Sequence, residues 1–518
     1  MSPVSADAAA ELSTRIRLHI SEMWPQLTRS LRHALEAAYD PKTEAIEGSR
    51  LPLLYVSMDE SPEAIQRQID VMMEGGSSYR GIEVRRLDGA PELITEHGLL
   101  YLPGRYVVPG GRFNELYGWD SYFIALGLLR DGRHGLAQSI ADQFIYEVSH
   151  YGTVLNCNRT YCLMRSHPPF LGRLVLAVFE ESGDTAWLRA ALPMVERYHA
   201  YWVSTPQFLP ALGLSRYHAL GGGPAPEVVG GERDADGRTH YERVCLALRD
   251  HPQPEPWFSE VYDRTTNSLT DSGYVNDRTV RESGFDLTNR FGLCGLDARS
   301  YAPVCLNTLL WQLEKDVAQV RKVCEAAPES IAHWEALADA RRARMTELFW
   351  DEAAGLFHDW NLRTGSRSRY AYATTFWPMW AGWADQEQAR RVAGKVPAFL
   401  APGGLLTSLE VTGCQWDAPF TWAPLVHMAV RGLDRYGFTS EADEIAHRFL
   451  ALTFAEFDRT GQFFEKYDAA DRTSDVSGKI LFGYPTNEPG FGWTNAVVAD
   501  LLARQAGTPA DTLVAPAP

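Results

Sequence analysis

Two carboxylates stand out for the company they keep. Asp286 lies in SGFDLTNR directly after Gly284 and Phe285, and Glu465 lies in FFEKYD between Phe464 and Lys466. An apolar ring beside a carboxyl raises its pKa and keeps it protonated, as a general acid requires. A lysine that reaches a carboxylate keeps it ionised, as a general base requires. Hydrolysis of a glycosidic bond needs two carboxyls flanking that bond. The chain holds 66 Asp and Glu residues, however, and each of these two has a plainer alternative as a helix cap or surface ion pair. Neighbouring residues narrow the choice without making it.

The surroundings of these residues share one composition. PGGRFNELYGWDSY (109–122), NCNRTYCLMRSHPPF (156–170), RESGFDLTNRF (281–291) and QWDAPFTWAP (415–424) each combine rings, polar or charged groups and breakers of regular structure. FFEKYD (463–468) and EPGFGWTN (488–495) add to the set. A pyranose presents apolar C–H faces to rings and hydroxyls to carboxylates, amides and guanidinium groups. Trp119, Trp416, Trp422 and Trp493 are candidate ring faces, and Arg112, Asp120, Asn156 and Arg165 are candidate hydroxyl partners. Phe113 and Gly284 stand in the same loops as further candidates for the sugar site. Any single Trp is more often core than platform; the joint recurrence beside glycines and acids is what points to sugar. His167, in RSHPPF, has a structural reading as good as its functional one.

Other chemistries fit worse. There is no phosphate-binding Gly-rich loop ending in Lys-Ser/Thr, no G-x-S-x-G elbow and no H-E-x-x-H. The seven cysteines show no paired metal-ligand spacing and imply no disulfide framework. A net charge of −17 argues against binding a phosphate backbone. No stretch approaches the roughly 20 apolar residues of a membrane helix, and MSPVSADAAAELSTRIRLHI lacks the continuous apolar run of a secretory signal. The expectation is a reduced, cytoplasmic protein without nucleic-acid or membrane partners; oligomeric state is not legible.

The elements that must position these loops are helical. Residues 13–37 read as a helix interrupted at Pro25, and 50–108 as short extended pieces with turns. From Gly118 onward, helical stretches come in pairs separated by glycines and by loops rich in Trp and acids. Residues 204–280, rich in Gly, Pro and charge, read as a long irregular insertion over the site, with a lid as one possible role. DEAAGLFHDWNLRTGS reads as a hairpin. No short repeat recurs, which argues against a solenoid and leaves an open superhelix or a closed toroid. Closure would bring the polar loops to one face.

On these motifs the sequence resembles the trehalases of glycoside hydrolase family 37. Every fixed position of that family's signature P-G-G-R-F-x-E-x-Y-x-W-D-x-Y is present as Pro109 to Tyr122, and QWDAPFTWAP is similar to its second signature, with Thr421 where a small residue is usual. Further similarity runs through NCNRTYCLMRSHPPF, ESGFDLTNRF, PVCLNTLLWQLEK, PGGLLTS, FEKYD and GFGWTN, over roughly residues 100–505 in order. The resemblance implies an all-α fold, an (α/α)6 toroid with long catalytic loops and a few short strands. It implies a catalytic domain at 100–518, carrying the insertion near 204–280, with residues 1–99 packed on the barrel. It implies an inverting hydrolase of α,α-trehalose needing no metal or cofactor, with Asp286 as acid and Glu465 as base. It places Arg112, Trp119, Asp120, Asn156, Arg165 and Trp416 around the reacting glucose.

The chain departs from the family where the leaving sugar would sit. The family's P-R-P-E-S is PAPEV here, with Ala225 in place of Arg and Glu227 retained. A Gly-rich loop ending G-G-E-Y is replaced by GKILFGYPTNEPGFGWTN, with Gly483 near the place of that Glu, and His167 stands where Gln is common. These departures keep open a different α-glucoside or a modified trehalose as substrate, and a sugar-binding protein without activity as a further alternative. Retention of both Asp286 and Glu465 speaks against the latter.

Overall fold

A computed structural model describes residues 6–43, 51–73, 81–231, 233–234 and 236–507. The ends of the two expected regions, 1–5 and 508–518, lie outside the described residues. Six inner helices run Gly118–Arg130, Leu171–Ser182, Val304–Val323, Trp377–Ala381, Ala423–Arg435 and Gly492–Gln505. Each packs on the next, and the last packs on the first, so the ring closes. Their outer partners are His134–Tyr151, Thr185–Trp202, Pro328–Phe349, Thr439–Thr460 and, for the last inner helix, the chain's first helix Ala6–Leu27; Gln386–Ala393 follows the fourth inner helix in the chain. The fold is an (α/α)6 toroid.

The two rings differ in sequence for a physical reason. Gly118–Arg130 is buried at every position from Gly118 to Leu129, because an inner helix has neighbours on all sides. Pro328–Phe349 instead buries Trp334, Ala338, Arg341, Met345, Leu348 and Phe349, a single stripe at helical spacing. In the first helix, Ile16, Ile20 and Trp24 form the same kind of stripe. That helix continues through Pro25 and stops at Leu27, short of the expected 37.

Connections alternate in length. Inner-to-outer turns are short: 131–133, 183–184, 324–327, 382–385 and 436–438. In one of them Gly183, at φ +64°, ends a helix in the left-handed region, and Asp184 caps the next by accepting from the Trp187 amide at 2.9 Å. Outer-to-inner connections are long: 28–117, 152–170, 203–303, 350–376, 394–422 and 461–491. All of them emerge at the same end of the toroid, so that end carries nearly all the irregular chain. Short strands tie the loops together. Phe420–Trp422 pairs antiparallel with Lys466–Asp468, Trp422 opposite Lys466. Leu53–Val56 is the centre of a three-stranded parallel sheet with Glu83–Arg86 and Leu99–Leu100. The expected hairpin near 351–366 is two hairpins, Trp350–Asp351 with Leu356–Phe357 and Trp360–Asn361 with Ser366–Arg367.

The stretch 204–280 is not irregular. It holds the helix His240–Arg249 and most of the helix Asp271–Glu282. Thr239 and Glu242 form a capping box on the first, and Thr270 caps the second. Val244, Leu248, Phe258, Val261 and Leu269 bury a small core of their own, which continues into Val280, Leu287 and Phe291. Several of the charges that made the stretch read as irregular lie within these helices, among them Glu242, Arg243, Asp277 and Arg278.

Candidate active site

A cavity of about 460 Å³ opens at the loop-bearing end of the toroid, within the range of roughly 300–1,000 Å³ that small-molecule sites occupy. Every candidate singled out from the sequence lines it, apart from Trp422: Arg112, Phe113, Trp119, Asp120, Asn156, Arg165, His167, Glu227, Gly284, Asp286, Trp416, Glu465 and Trp493. Trp422 lies behind Trp416, stacked on it at 3.7 Å and nearly parallel.

The floor is aromatic. Trp119 and Trp493 stand in the first turns of the inner helices Gly118–Arg130 and Gly492–Gln505, and Trp416 on the loop ahead of a third. Trp119 lies 5.6 Å from Trp416 and 5.9 Å from Trp493, centre to centre. Gly284 closes over this cluster at φ +77°, where a Cβ would sit 3.0 Å from the Trp119 indole; only glycine fits. Asp120, buried beside Trp119, meets no side-chain donor among the described residues. Burial raises its pKa well above the usual carboxylate range, and the charges of Glu465 and Asp286 add to that.

Asp286 follows Gly284 on the wall. Its side chain keeps 28% of its surface open. Protein surrounds it otherwise, and burial raises its pKa to about 6 against the opposing charges of Arg281 and Arg165. Arg281 Nη1 donates to it at 3.3 Å. The same guanidinium is anchored by two hydrogen bonds to Asp277, at 3.0 and 3.1 Å, one helical turn earlier. Gln415 Nε2 donates to the Asp286 carbonyl.

Glu465 is placed by the strand pair beneath Trp422. Its Oε2 accepts from the buried Lys466 ammonium at 3.1 Å, and its Oε1 from the Tyr484 hydroxyl. Its amide donates to the Glu488 carbonyl at 3.0 Å, and the Trp493 Nε1 donates to its own carbonyl at 3.0 Å. The carboxylate is thus an acceptor with two fixed donors, held at both ends. Glu465 and Asp286 both push the Tyr484 hydroxyl's pKa upward, second only to burial, so the two carboxyls face a common space.

The same cavity carries a polar wall. Arg165 Nη2 donates to Glu227 at 2.6 Å and to Asn156 at 3.3 Å, while Asn156 Nδ2 donates to the Arg281 carbonyl at 3.1 Å. Although burial pushes the Glu227 pKa up, the charges of Arg165 and Arg281 hold it below its usual value. Arg165 Nε and Nη1 and Glu227 Oε2 are buried without a partner among the described residues. Orphaned donors and an acceptor on a cavity wall are expensive unless a ligand rich in hydroxyls completes them. Arg112 lies over the Tyr484 ring at 4.4 Å, its amide donating to Glu488 at 3.1 Å. His167 is held neutral by burial and the nearby Arg165, and its Nδ1 accepts from the Trp119 amide at 3.2 Å, capping the helix that presents Trp119.

Three contributors were not singled out from the sequence. Arg281 stood in the quoted RESGFDLTNRF, four residues after Asp277, and that i,i+4 spacing was the available signal. Tyr484 stood in the quoted GKILFGYPTNEPGFGWTN directly after Gly483, whereas Arg243 comes from a stretch with no pattern of its own. Ala225, one of the departures noted, is fully buried and absent from the cavity wall, whereas Gly483 lines it.

Known proteins resemble this chain over most of its length. The model of the Trehalase family matches residues 79–506. A probable trehalase of Eremothecium gossypii is 36% identical, over 93% of this chain and 71% of that protein. A cytosolic neutral trehalase of Saccharomyces cerevisiae is 34% identical, over 93% of this chain and 70% of that protein. The solved structure of neutral trehalase Nth1 from Saccharomyces cerevisiae superposes with a TM-score of 0.78 at 32% identity, covering 96% of this chain and 95% of that one. A mannosylglycerate hydrolase of family GH63 from Thermus thermophilus, at TM-score 0.53 and 18% identity over 76% of this chain and 95% of that one, shares the fold alone.

Proposed function

The chain belongs to the trehalase family, and on that premise we propose that it hydrolyses α,α-trehalose to two glucose molecules with inversion, Asp286 acting as general acid and Glu465 as general base. The observation that carries this reading is the contrast between the two carboxyls of one cavity. Burial raises Asp286 to about 6, favouring a proton on it, while Glu465 accepts from Lys466 and Tyr484.

In this reading one glucose lies on the Trp119–Trp416–Trp493 floor with Asp120, Asn156, Arg112 and Arg165 at its hydroxyls. Asp286 gives its proton to the glycosidic oxygen as the bond to C1 breaks. Glu465 takes a proton from a water on the opposite face of the ring, and that water adds to C1. Charge at C1 peaks in an oxocarbenium-like transition state. Arg281 is then the positioning partner of the acid, kept in place by Asp277 whichever protonation state Asp286 is in.

The leaving glucose departs with its α configuration and the attacked one emerges as β. Proton NMR of the first turnovers of trehalose tests this: equal α- and β-glucose are expected, and two α-glucoses overturn inversion. Relatives named cytosolic neutral trehalases support a cytosolic place for the chain; no helix among the described residues is long and apolar enough to cross a membrane. A second reading, a substituted trehalose as substrate, is favoured by Gly483, which lines the cavity in the loop where the sequence departs from the family's G-G-E-Y pattern.

A further inference from the structure

We propose that Arg243 makes the leaving-group end of the cavity a receptor for an anion, so that the chain favours α-glucosides whose departing sugar carries a phosphate or a carboxylate. This rests on the reading of Asp286 as the acid, because the acid marks the side on which the leaving group lies.

Charge balance around the cavity singles out Arg243. Lys42 is matched by Glu115 at 2.8 Å and by Asp40 at 3.1 Å. Arg165 is matched by Glu227, Arg281 by Asp277 and Asp286, and Arg112 by Glu488 at 3.7 Å. Arg243 lines the same cavity and has no carboxylate within ion-pair distance among the described residues. Its Nε is buried without an acceptor, and its Nη2 reaches only the Gly483 carbonyl, at 3.5 Å. Asp234, the carboxylate that does feel its charge, accepts from the amides of Asp236 and Arg238 at 3.0 and 2.8 Å.

Position agrees with charge. Arg243 stands one turn after His240, whose ring approaches Asp277 at 3.6 Å, and Asp277 holds Arg281 against Asp286. On its other side Gly483 precedes Tyr484, the residue that donates to Glu465. Arg243 thus joins the cavity between the element that holds Arg281 against Asp286 and the loop that brings Tyr484 to Glu465. Gly230, Gly231 and Gly483 line the same cavity, and Gly483 presents its backbone carbonyl, not a side chain, to Arg243. A partly desolvated guanidinium with a free edge is matched by a bidentate anion better than by a hydroxyl.

The test compares wild type, Arg243→Ala and Arg243→Lys on four substrates: α,α-trehalose, trehalose bearing phosphate at C6 of one glucose, trehalose bearing a carboxylate at that C6, and α-glucosyl fluoride. The quantity read is kcat/KM for each anionic disaccharide divided by kcat/KM for trehalose. We expect Arg243→Ala to lower that ratio by about tenfold or more for at least one of the two anions, as loss of a charge-assisted pair does, and Arg243→Lys to recover part of it. Which anion responds distinguishes the phosphate from the carboxylate source. An unchanged ratio for both anions overturns the proposal, as does a wild-type enzyme that neither cleaves nor is inhibited by either one. α-Glucosyl fluoride keeps this separate from the trehalose reading. A wild type that cleaves the fluoride and an anionic disaccharide but not trehalose refutes trehalose as substrate and leaves the anion receptor standing.

Discussion

Replacing Asp286 by Asn should weaken catalysis and strengthen the fold at once, and the two effects have separate signatures. Asp286 is raised from 3.8 to about 6, chiefly by burial. At about 1.4 kcal/mol per unit, holding it ionised at pH 7 costs the folded state about 3 kcal/mol, or about 1–2 after allowing for the 28% of its side chain that stays open. The sign follows from proton binding. Between the unfolded value and about 6 the native state holds the proton more tightly, so this carboxyl's contribution is full below 3.8 and lost as pH rises through 6. Asparagine cannot ionise and escapes that loss, while Arg281 keeps both hydrogen bonds to Asp277. Urea denaturation should therefore show Asp286→Asn more stable than wild type by about 1–2 kcal/mol at pH 7 and nearly equal to it at pH 4. On trehalose its kcat should fall by about 10²–10⁴, but far less on α-glucosyl fluoride, whose leaving group needs no proton. In the wild type, kcat/KM should decline on the basic side with an apparent pKa near 6. A variant no more stable at pH 7 than at pH 4, relative to wild type, would refute the electrostatic account. Equal losses on the two substrates would refute the acid role.

Two further outcomes follow from the same geometry. Glu465→Ala should abolish trehalose hydrolysis yet respond to added azide, which can take the place of the attacking water and yield β-glucosyl azide; no rescue, or the α-azide, would count against Glu465 as the inverting base. Asp359→Ala should destabilise the fold by about 3–5 kcal/mol in chemical denaturation. It strands Arg290, a fully buried guanidinium that now makes two 2.7 Å bonds to that carboxylate beside the Phe285 and Phe291 rings; a loss under about 1 kcal/mol would mean the pair is not the clamp of the acid-bearing loop.

What could be read from the sequence and what could not divides along a physical line. The residues that line the cavity floor were legible because they sit at starts of inner helices or on short strand pairs, where glycine, proline, ring and acid must appear together over a few positions. Trp119 and Asp120 open one helix, Trp493 another, and Glu465 adjoins Lys466 on a strand edge. The helical pairing was legible too, from stripes such as Trp334, Ala338, Arg341 and Met345. A stripe names no partner, however. Ile16, Ile20 and Trp24 require only some apolar face, and nothing local states that the face is the helix Gly492–Gln505 at the far end of the chain. Likewise the small core of Val244, Leu248, Phe258 and Val261 is hidden among turns whose composition imitates an unstructured insertion. Arg243 and Tyr484 are of this second kind. Each reaches the cavity from an ordinary helix face or loop by tertiary docking, and neither residue's own role is marked locally, although Tyr484 lies in a loop that departs from the family. In the proposed reading the leaving-group end is built from such residues. The family signature is therefore a guide to which sugar reacts and a poor guide to what leaves, so substrate choice in this chain has to be argued from the unmatched charge at Arg243 rather than from the intact stretch Pro109 to Tyr122.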